Sequence, residues 1–314
     1  MRTLAEYIMR GRMQSVLVTT VFAVLALILP ILGYVSSGAV ALVALRRGWI
    51  EGALVAFVAV IVMAVLATYA TGSADIAIAF ALGIWLPVLF LAAVLRQSIS
   101  LSRTLLVAAA LSMGVVIVTH VMVPDIVAWW MDKLSRLRPM MVESGMFASA
   151  DIDLMLPALA QAMTGLLAAA FLVSSLLGLL LGRWWQSLLY NPGGFRQEFT
   201  GLRLARREAL AVVAVVAIAM LIGGRDSNLG QDLSIVILSL FTIPGMGVLH
   251  ALVAVKRSLM PGLVVIYVLL LLVPQIVGLV ALIGLADSWF DFRRMMPDTK
   301  KDKAVRRQDD ESED

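Results

Sequence analysis

Long apolar runs that contain no charged residue follow one another along most of this chain. They cover residues 13–45, 52–74, 76–95, 104–123, 155–182, 209–224, 233–255 and 259–286. A helix needs about 20 residues to cross the hydrocarbon core of a bilayer, and most of these runs are that long. The pattern therefore predicts an all-α fold, a polytopic bundle of transmembrane helices.

The composition agrees with a location in a membrane. Of the 314 residues, 61% are hydrophobic and 15% are charged, whereas about 25% of the residues of a typical soluble domain are charged. The mean hydropathy is +0.96. The formal net charge is +4, but the Lys and Arg residues flank apolar runs, as membrane anchors do. We therefore predict the lipid bilayer as a partner and no binding of nucleic acid.

The basic residues between the runs indicate how the first helices are oriented. The run 13–45 is longer than one crossing and holds Pro30 and Gly33 near its middle, which predicts a hairpin of two short helices. The N-terminal arginines, then Arg46 and Arg47, then Arg96 all fall on the cytoplasmic side if six crossings follow one another. The sequence thus predicts a multi-pass protein of the bacterial inner, or cytoplasmic, membrane with a cytoplasmic N-terminus.

The last apolar run conflicts with this rule if it crosses the membrane once. A single crossing would place the basic residues from Arg293 to Arg307 outside the cell. A helix break at Pro244 or at Pro274 would turn a late run into a re-entrant pair, which is tolerated where protein or water covers the freed backbone. We therefore predict about eight crossings with both termini cytoplasmic. The alternative is nine crossings with an external C-terminus.

The distribution of charge divides the chain into four predicted segments. These are a six-helix membrane block at 1–182, a cytoplasmic connector at 183–208, a C-terminal helical block at 209–290, and a charged tail at 291–314. The tail is too polar to form a core and is expected to be disordered.

A segment between the fifth and sixth predicted helices has the pattern of an interfacial helix. From Asp125 to Arg138, apolar residues that include Trp129 and Trp130 recur at helical spacing opposite charged residues. This predicts an external helix that lies along the membrane surface. It can act as a lid over a cavity or as an aromatic anchor at the interface.

Polar residues within the runs are the candidate ligand contacts. No Asp, Glu, Lys or Arg falls inside a predicted span, which argues against an ion-driven pump built on a buried carboxylate. We assign five uncharged residues to a small-molecule cavity, and each has packing between helices as its alternative role. They are Gln161, Gln275, His120, His250 and Tyr34. Neither histidine has a second histidine or a carboxylate at ligand spacing, so we predict no metal site.

The sequence lacks the motifs of the common enzyme classes. Ser36, Ser37 and His250 supply the residue types of a serine hydrolase without its glycine-flanked nucleophile. No phosphate-binding loop is present, and the absence of cysteine excludes thiol chemistry. We therefore predict a protein without catalytic residues or a cofactor.

The connector has the most distinctive local sequence in the chain. Trp184 and Trp185 are followed by a turn-forming segment, Asn191, Pro192, Gly193, Gly194 and Phe195. These residues form a candidate docking site for a membrane or cytoplasmic protein partner. A purely structural connector is the alternative.

Two stretches of the chain resemble a known family. The sequence RWWQSLLYNPGGF from Arg183 to Phe195 and the sequence LADSWFDFRR from Leu285 to Arg294 resemble the bacterial YybS-like family of polytopic membrane proteins. This resemblance extends over nearly the whole chain, implies a multi-pass helical fold, and brings no catalytic or ligand residues. The first six helices, with RRG at 46–48 and EGA at 51–53, are also similar to the substrate-binding components of energy-coupling-factor vitamin transporters.

Two functions follow as hypotheses. The first is a small-molecule binding or transport component with an externally open polar cavity and a partner that supplies energy. The second is a membrane scaffold or regulator that acts through a partner docked on the connector at 183–208.

Overall fold

A computed structural model describes residues 1–145, 148–223 and 228–295 of the chain. Within these ranges all the regular secondary structure is helical. The helices are α1 (Arg2–Arg10), α2 (Arg12–Ala26), α3 (Gly33–Arg47), α4 (Trp49–Thr71), α5 (Asp75–Phe80), α6 (Leu86–Ser98), α7 (Leu101–Met122), α8 (Ile126–Ser135), α9 (Arg138–Glu143), α10 (Ser149–Tyr190), α11 (Gly194–Thr200), α12 (Arg206–Gly223), α13 (Leu229–Val255), α14 (Met260–Leu272) and α15 (Gln275–Phe290). The predicted disordered tail lies outside the described residues from 296 onward.

Among the described residues, five helical segments are long and apolar enough to cross a membrane. They are Trp49–Thr71, Asp75–Ser98, Leu101–Met122, Ser149–Tyr190 and Leu229–Val255. The second of these joins α5 to α6 through a π-helical turn at Ala81–Trp85. Shorter apolar helices occupy Arg12–Ala26, Arg257–Leu272 and Gln275–Phe290. The predicted class, an all-α protein with several apolar helices of membrane type, is confirmed, and the count of eight crossings stays a prediction.

The last apolar run is broken at one of the two prolines that the sequence suggested. Helix α14 ends at Leu272 and α15 begins at Gln275, with Pro274 between them. Pro244, in contrast, lies inside the continuous helix α13. Proline lacks the N–H that a helix interior requires, so a helix either ends at such a residue or tolerates one lost hydrogen bond. Both outcomes occur here.

The helix α10 extends beyond both of its predicted ends. The sequence predicted a helix over 155–182, whereas α10 runs from Ser149 to Tyr190. Trp184 and Trp185 therefore lie on this helix, and the chain leaves it only after Tyr190. Trp185 is fully buried in a cluster that includes Ile8 and Leu42.

The chain forms two compact units. Unit 1 consists of Met1–Phe195 and Val215–Val236, and unit 2 consists of Arg196–Ala214 and Ile237–Asp314. The boundaries between the units therefore fall within α12 and α13 as well as after Phe195.

Helices α3 and α10 approach each other closely in unit 1 because glycines line their contact. A Cβ atom added at Gly182 would lie 2.5 Å from the Cβ of Ala41 and 2.9 Å from the carbonyl oxygen of Gly38. Gly178, one helical turn earlier, would bring a Cβ to 2.9 Å from the Cβ of Ser37. Small residues four apart share one helix face and let helices in a membrane pack with their backbones in contact.

We expect Gly182→Leu to destabilise unit 1 by about 3 kcal/mol, because a larger side chain would meet backbone atoms of α3 that cannot yield. Gly114 on α7 has open space around its added Cβ, so Gly114→Leu is the matched control and should unfold like the parent protein. Thermal unfolding of the detergent-purified proteins measures the difference. An equal loss in the two variants would contradict the close contact between α3 and α10.

Arginines gather at one end of unit 1, where α2 and α4 begin and α3 and α6 end. This basic end carries Arg12, Arg46, Arg47 and Arg96. The Nε of Arg12 donates a hydrogen bond to Oε2 of Glu51 at 2.9 Å, which ties the start of α2 to the first turn of α4. The basic end is the one that the sequence predicts to be cytoplasmic.

A buried ion pair between Asp287 and Arg293, which we call the clasp, connects the end of α15 to the segment around Thr200 in unit 2. Asp287 of α15 is fully buried and forms an ion pair with Arg293. Arg293 also donates hydrogen bonds to the carbonyl oxygens of Thr200 and Leu202, the latter at 2.7 Å, and the N–H of Phe292 donates to Oδ1 of Asp287 at 3.0 Å. These contacts hold the segment DSWFDFRR, residues 287–294, against Thr200 at the end of α11 and Leu202 just after it. Residues 291–294, which were predicted to belong to the charged tail, are therefore packed in unit 2.

Candidate functional site

The first turn of α13 carries a buried carboxylate. Asp232 has a side chain that is 1% exposed, and its backbone N–H donates to the carbonyl oxygen of Asn228 at 2.9 Å. The apolar run begins at Leu233 in the sequence, whereas α13 begins at Leu229, so Asp232 lies in the helix and not in the loop before it. The expectation that no charged residue falls inside a span stays a prediction.

A glycine of α10 allows Asp232 to come this close. The backbone N–H of Gly165 donates a hydrogen bond to Oδ1 of Asp232 at 2.9 Å. A Cβ atom at Gly165 would lie 2.7 Å from the Cα of Asp232 and 2.9 Å from the Cδ1 of Ile235. Only a residue without a side chain fits at this contact, so Gly165 determines where the first turn of α13 packs in unit 1.

A histidine in the last turn of α7 faces the other oxygen of the carboxylate. The Nε2 of His120 lies 3.4 Å from Oδ2 of Asp232. The Nδ1 of His120 lies 3.0 Å from the carbonyl oxygen of Val116. A carbonyl oxygen can only accept, so Nδ1 carries a proton in this arrangement.

Nε2 of His120 and Oδ2 of Asp232 face each other without a hydrogen bond between them. With Nδ1 protonated, Nε2 of a neutral imidazole is an acceptor. The first turn of a helix favours a negative charge on the carboxylate. Among the described residues, both facing atoms are buried and have unused hydrogen-bonding capacity.

The amphipathic helix α8 lies against α10 beside this pair. The Nε1–H of Trp130 donates to Oγ1 of Thr164 at 2.8 Å, and Thr164 directly precedes Gly165. Leu134 of α8 packs in a cluster with Ile152 of α10, and the side chain of Asp125 caps the start of α8. The predicted helix is confirmed, and its partner on α10 is the turn that also contacts Asp232.

The other four predicted cavity residues have different surroundings. In unit 1, Gln161 is exposed on α10 and Tyr34 is half-buried on α3. In unit 2, Gln275 is exposed at the start of α15, and Nδ1 of His250 lies 2.9 Å from the carbonyl oxygen of Met246. His120 is thus the predicted residue that lies against a carboxylate, whereas Nε2 of His250 lies 3.4 Å from the hydroxyl of Tyr267.

The predicted docking segment contains an ordered turn. The Oγ of Ser187 donates to the carbonyl oxygen of Asn191 at 2.7 Å and accepts from the N–H of Phe195 at 3.0 Å. Gly193 has a φ of +87°, and residues 191–193 are exposed. Gly194 is buried and begins α11, while Trp184 is half-buried on α10.

Fold and site together define a helical protein of membrane type with a buried aspartate–histidine pair. No protein-family model, curated protein or solved structure matches this chain. The interpretation of the site therefore rests on its geometry.

Sequence reasoning missed Asp232 and Gly165 although both carry weak signals. Asp232 directly precedes the apolar run that begins at Leu233, so a helix that starts one turn early includes it. Gly165 is a glycine between Thr164 and Leu166 in the middle of a long apolar run, where glycine often marks a close helix contact.

Proposed function

We propose that this protein is a small-molecule binding or transport component of the bacterial cytoplasmic membrane, and that Asp232 and His120 are the polar contacts for its ligand. The observation that supports this most directly is a carboxylate 1% exposed in a candidate membrane span. Ionisable groups at such positions are costly and usually serve substrates, ions or protons. The function is the one predicted from the sequence, and the site retains His120 of the predicted cavity residues and adds Asp232.

The surroundings of the pair favour entry from the outer side. Asp232 and His120 lie at the end of unit 1 opposite the basic end, where α7 ends and α13 begins. If the basic end faces the cytoplasm, as the positive-inside rule requires, the pair lies near the external surface. Helix α8 then acts as the lid, held to α10 through Trp130 and Thr164.

The same orientation leads us to propose eight crossings with both termini cytoplasmic. Helix α14 ends and α15 begins on either side of Pro274, so the two suit a re-entrant pair that returns the chain to the side it came from. This keeps Arg293 and Arg294 on the same side as Lys256 and Arg257, as the positive-inside rule requires. A reporter fused after Asp314 that is active only outside the cytoplasm would contradict this topology.

Native mass spectrometry of the purified protein tests the ligand site. We expect the parent protein to carry a non-covalently bound small molecule that Asp232→Asn loses, because the amide carries no negative charge. Asp132→Asn is the matched control, since Asp132 is an exposed carboxylate of α8 paired with Arg136. The ligand should stay in the control. Equal retention in the two variants would refute a role for Asp232 in binding.

The scaffold hypothesis has one specific observation in its favour. The exposed turn at 191–193 has a fixed shape, because Ser187 bonds to both sides of it, and a preformed exposed turn costs a partner little ordering entropy. Trp185 is buried, so a docked partner would contact the turn and not this ring. Co-purification of a protein partner that Pro192→Lys abolishes, with thermal unfolding unchanged, would favour this function over the first.

A further inference from the structure

Unit 1 carries an apolar groove that begins at the basic end. It is formed by α2 and α4, with Leu17 and Val21 on one side and Val62 and Leu66 on the other, and Tyr7 of α1 lines it too. The groove has a volume of about 560 Å³. Along α2 it extends from Met13 to Leu25, which corresponds to about 18 Å of helix. This length is close to the roughly 15 Å that one leaflet contributes to the hydrocarbon core.

Helix α1, which contributes Tyr7 to this groove, also lines a second, polar pocket. Its volume is about 390 Å³, and its lining includes Arg2, Glu6 and Arg10 of α1 and Tyr190 of α10. The guanidinium of Arg46 lies 4.1 Å from the centre of the Tyr190 ring and adds a further positive charge at this edge.

The charges of the pocket are not balanced. Arg2 forms an ion pair with Glu6 at 2.9 Å. Arg10 and Arg46 have no carboxylate partner among the described residues. Two guanidinium groups without counter-ions are suited to a phosphate, because arginine binds phosphate oxygens through paired N–H donors.

Helix α1 joins the two sites. Arg10 lines the polar pocket and Tyr7 lines the groove, and the guanidinium of Arg10 lies 5.8 Å from the centre of the Tyr7 ring. A ligand with a phosphate at one end and a hydrocarbon chain at the other fills both sites at once. Free phosphate would leave the groove empty.

We propose that this groove and pocket form a binding site for one anionic phospholipid of the leaflet at the basic end, with the phosphate held by Arg10 and Arg46 and one acyl chain lying between α2 and α4. The cytoplasmic leaflet is rich in anionic lipid and attracts basic segments at its surface. The positive-inside rule assigns the basic end to that leaflet. The site is separate from the Asp232–His120 pair, so either proposal can fail without the other.

Lipid retention by the full-length protein tests the site. The protein is stripped of lipid in detergent, incubated with phosphatidylglycerol or phosphatidylcholine, and analysed by native mass spectrometry. We expect one phosphatidylglycerol to stay bound, and the double substitution of Arg10→Gln with Arg46→Gln to weaken its retention about tenfold or more, as loss of charge-assisted hydrogen bonds does. Arg103→Gln is the control, because Arg103 is an exposed arginine at the start of α7 and should not change retention.

A second variant separates the groove from the pocket. Val21 is 45% exposed in the groove, so Val21→Trp fills the groove without disturbing the core and should also reduce phosphatidylglycerol retention. Equal retention of phosphatidylcholine, or unchanged retention in the double arginine variant, overturns the proposal. Displacement of the lipid by millimolar inorganic phosphate, with no effect of Val21→Trp, would identify a free-phosphate site and overturn it as well.

Discussion

Asp232→Leu is expected to lower the stability of unit 1 by about 3 kcal/mol, because the change removes the side-chain acceptor of the Gly165 N–H and leaves His120 facing an apolar side chain. Both groups lose the carboxylate that they face in the structure. An unsatisfied polar group in a low-dielectric interior costs far more than a hydrogen bond contributes net. The measurement is thermal or denaturant unfolding of the purified protein in detergent.

Asp232→Asn is expected to cost less than about 1 kcal/mol, since the amide can satisfy both neighbours. Its oxygen accepts from the N–H of Gly165, and its NH₂ group donates to Nε2 of a His120 that keeps its proton on Nδ1. Asn and Leu have the same number of side-chain heavy atoms in the same branched arrangement, so a large difference between the two variants reports mainly the hydrogen bonds. If Asn and Leu destabilise the protein equally, the hydrogen bond from Gly165 to residue 232 does not contribute to stability.

The same two variants separate stability from function. Asp232→Asn should fold like the parent and lack the negative charge, so its loss of ligand in native mass spectrometry cannot be attributed to unfolding. A variant that stayed folded and still bound the ligand would leave the Asp232–His120 contact with a structural role only.

Features with local causes were the ones that the sequence predicted. The apolar runs without charge predicted helices of membrane type, and the helical spacing of Trp130 and Leu134 predicted α8. The break at Pro274 follows from the missing N–H of one residue. Each of these depends on neighbours within a few positions in the chain.

The buried pair was not predictable in this way, because its cause is long-range. Asp232 stands 67 positions from Gly165, and burial of the carboxylate arises only when α13 packs against α10. In the sequence Asp232 is one of several charged residues between two apolar runs. Its position alone does not distinguish a loop from the first turn of a span.

The predicted cavity residues show a second limit. A helix that is apolar on all sides has no polar face from which its buried side can be inferred. Gln161 and Thr164 lie one turn apart on α10, yet Gln161 is exposed and Thr164 is 5% exposed. The neighbouring helices, and not the run itself, decide which polar side chain is covered.

The clasp of unit 2 provides the other large expected effect. Arg293→Met and Asp287→Leu are each expected to destabilise unit 2 by about 3 to 5 kcal/mol, because each leaves the other member of a buried ion pair without its partner. Asp287 is fully buried and the side chain of Arg293 is 16% exposed. Hydrogen exchange of the segments around 196–205 and 285–295 should report the loss, with α3 and α10 of unit 1 unchanged.

The double variant of Asp287→Leu with Arg293→Met should cost less than the sum of the single variants, with a coupling of about 2 kcal/mol, because it removes both charges together. It should not restore full stability, since the carbonyl oxygens of Thr200 and Leu202 still lose their donor. Arg294→Gln is the control, because Arg294 pairs with Asp291 while 87% exposed, and an exposed ion pair contributes about 0 to 1 kcal/mol. Strict additivity of the two single effects would show that Asp287 and Arg293 act independently, and the sequence DSWFDFRR would then need an explanation other than the clasp.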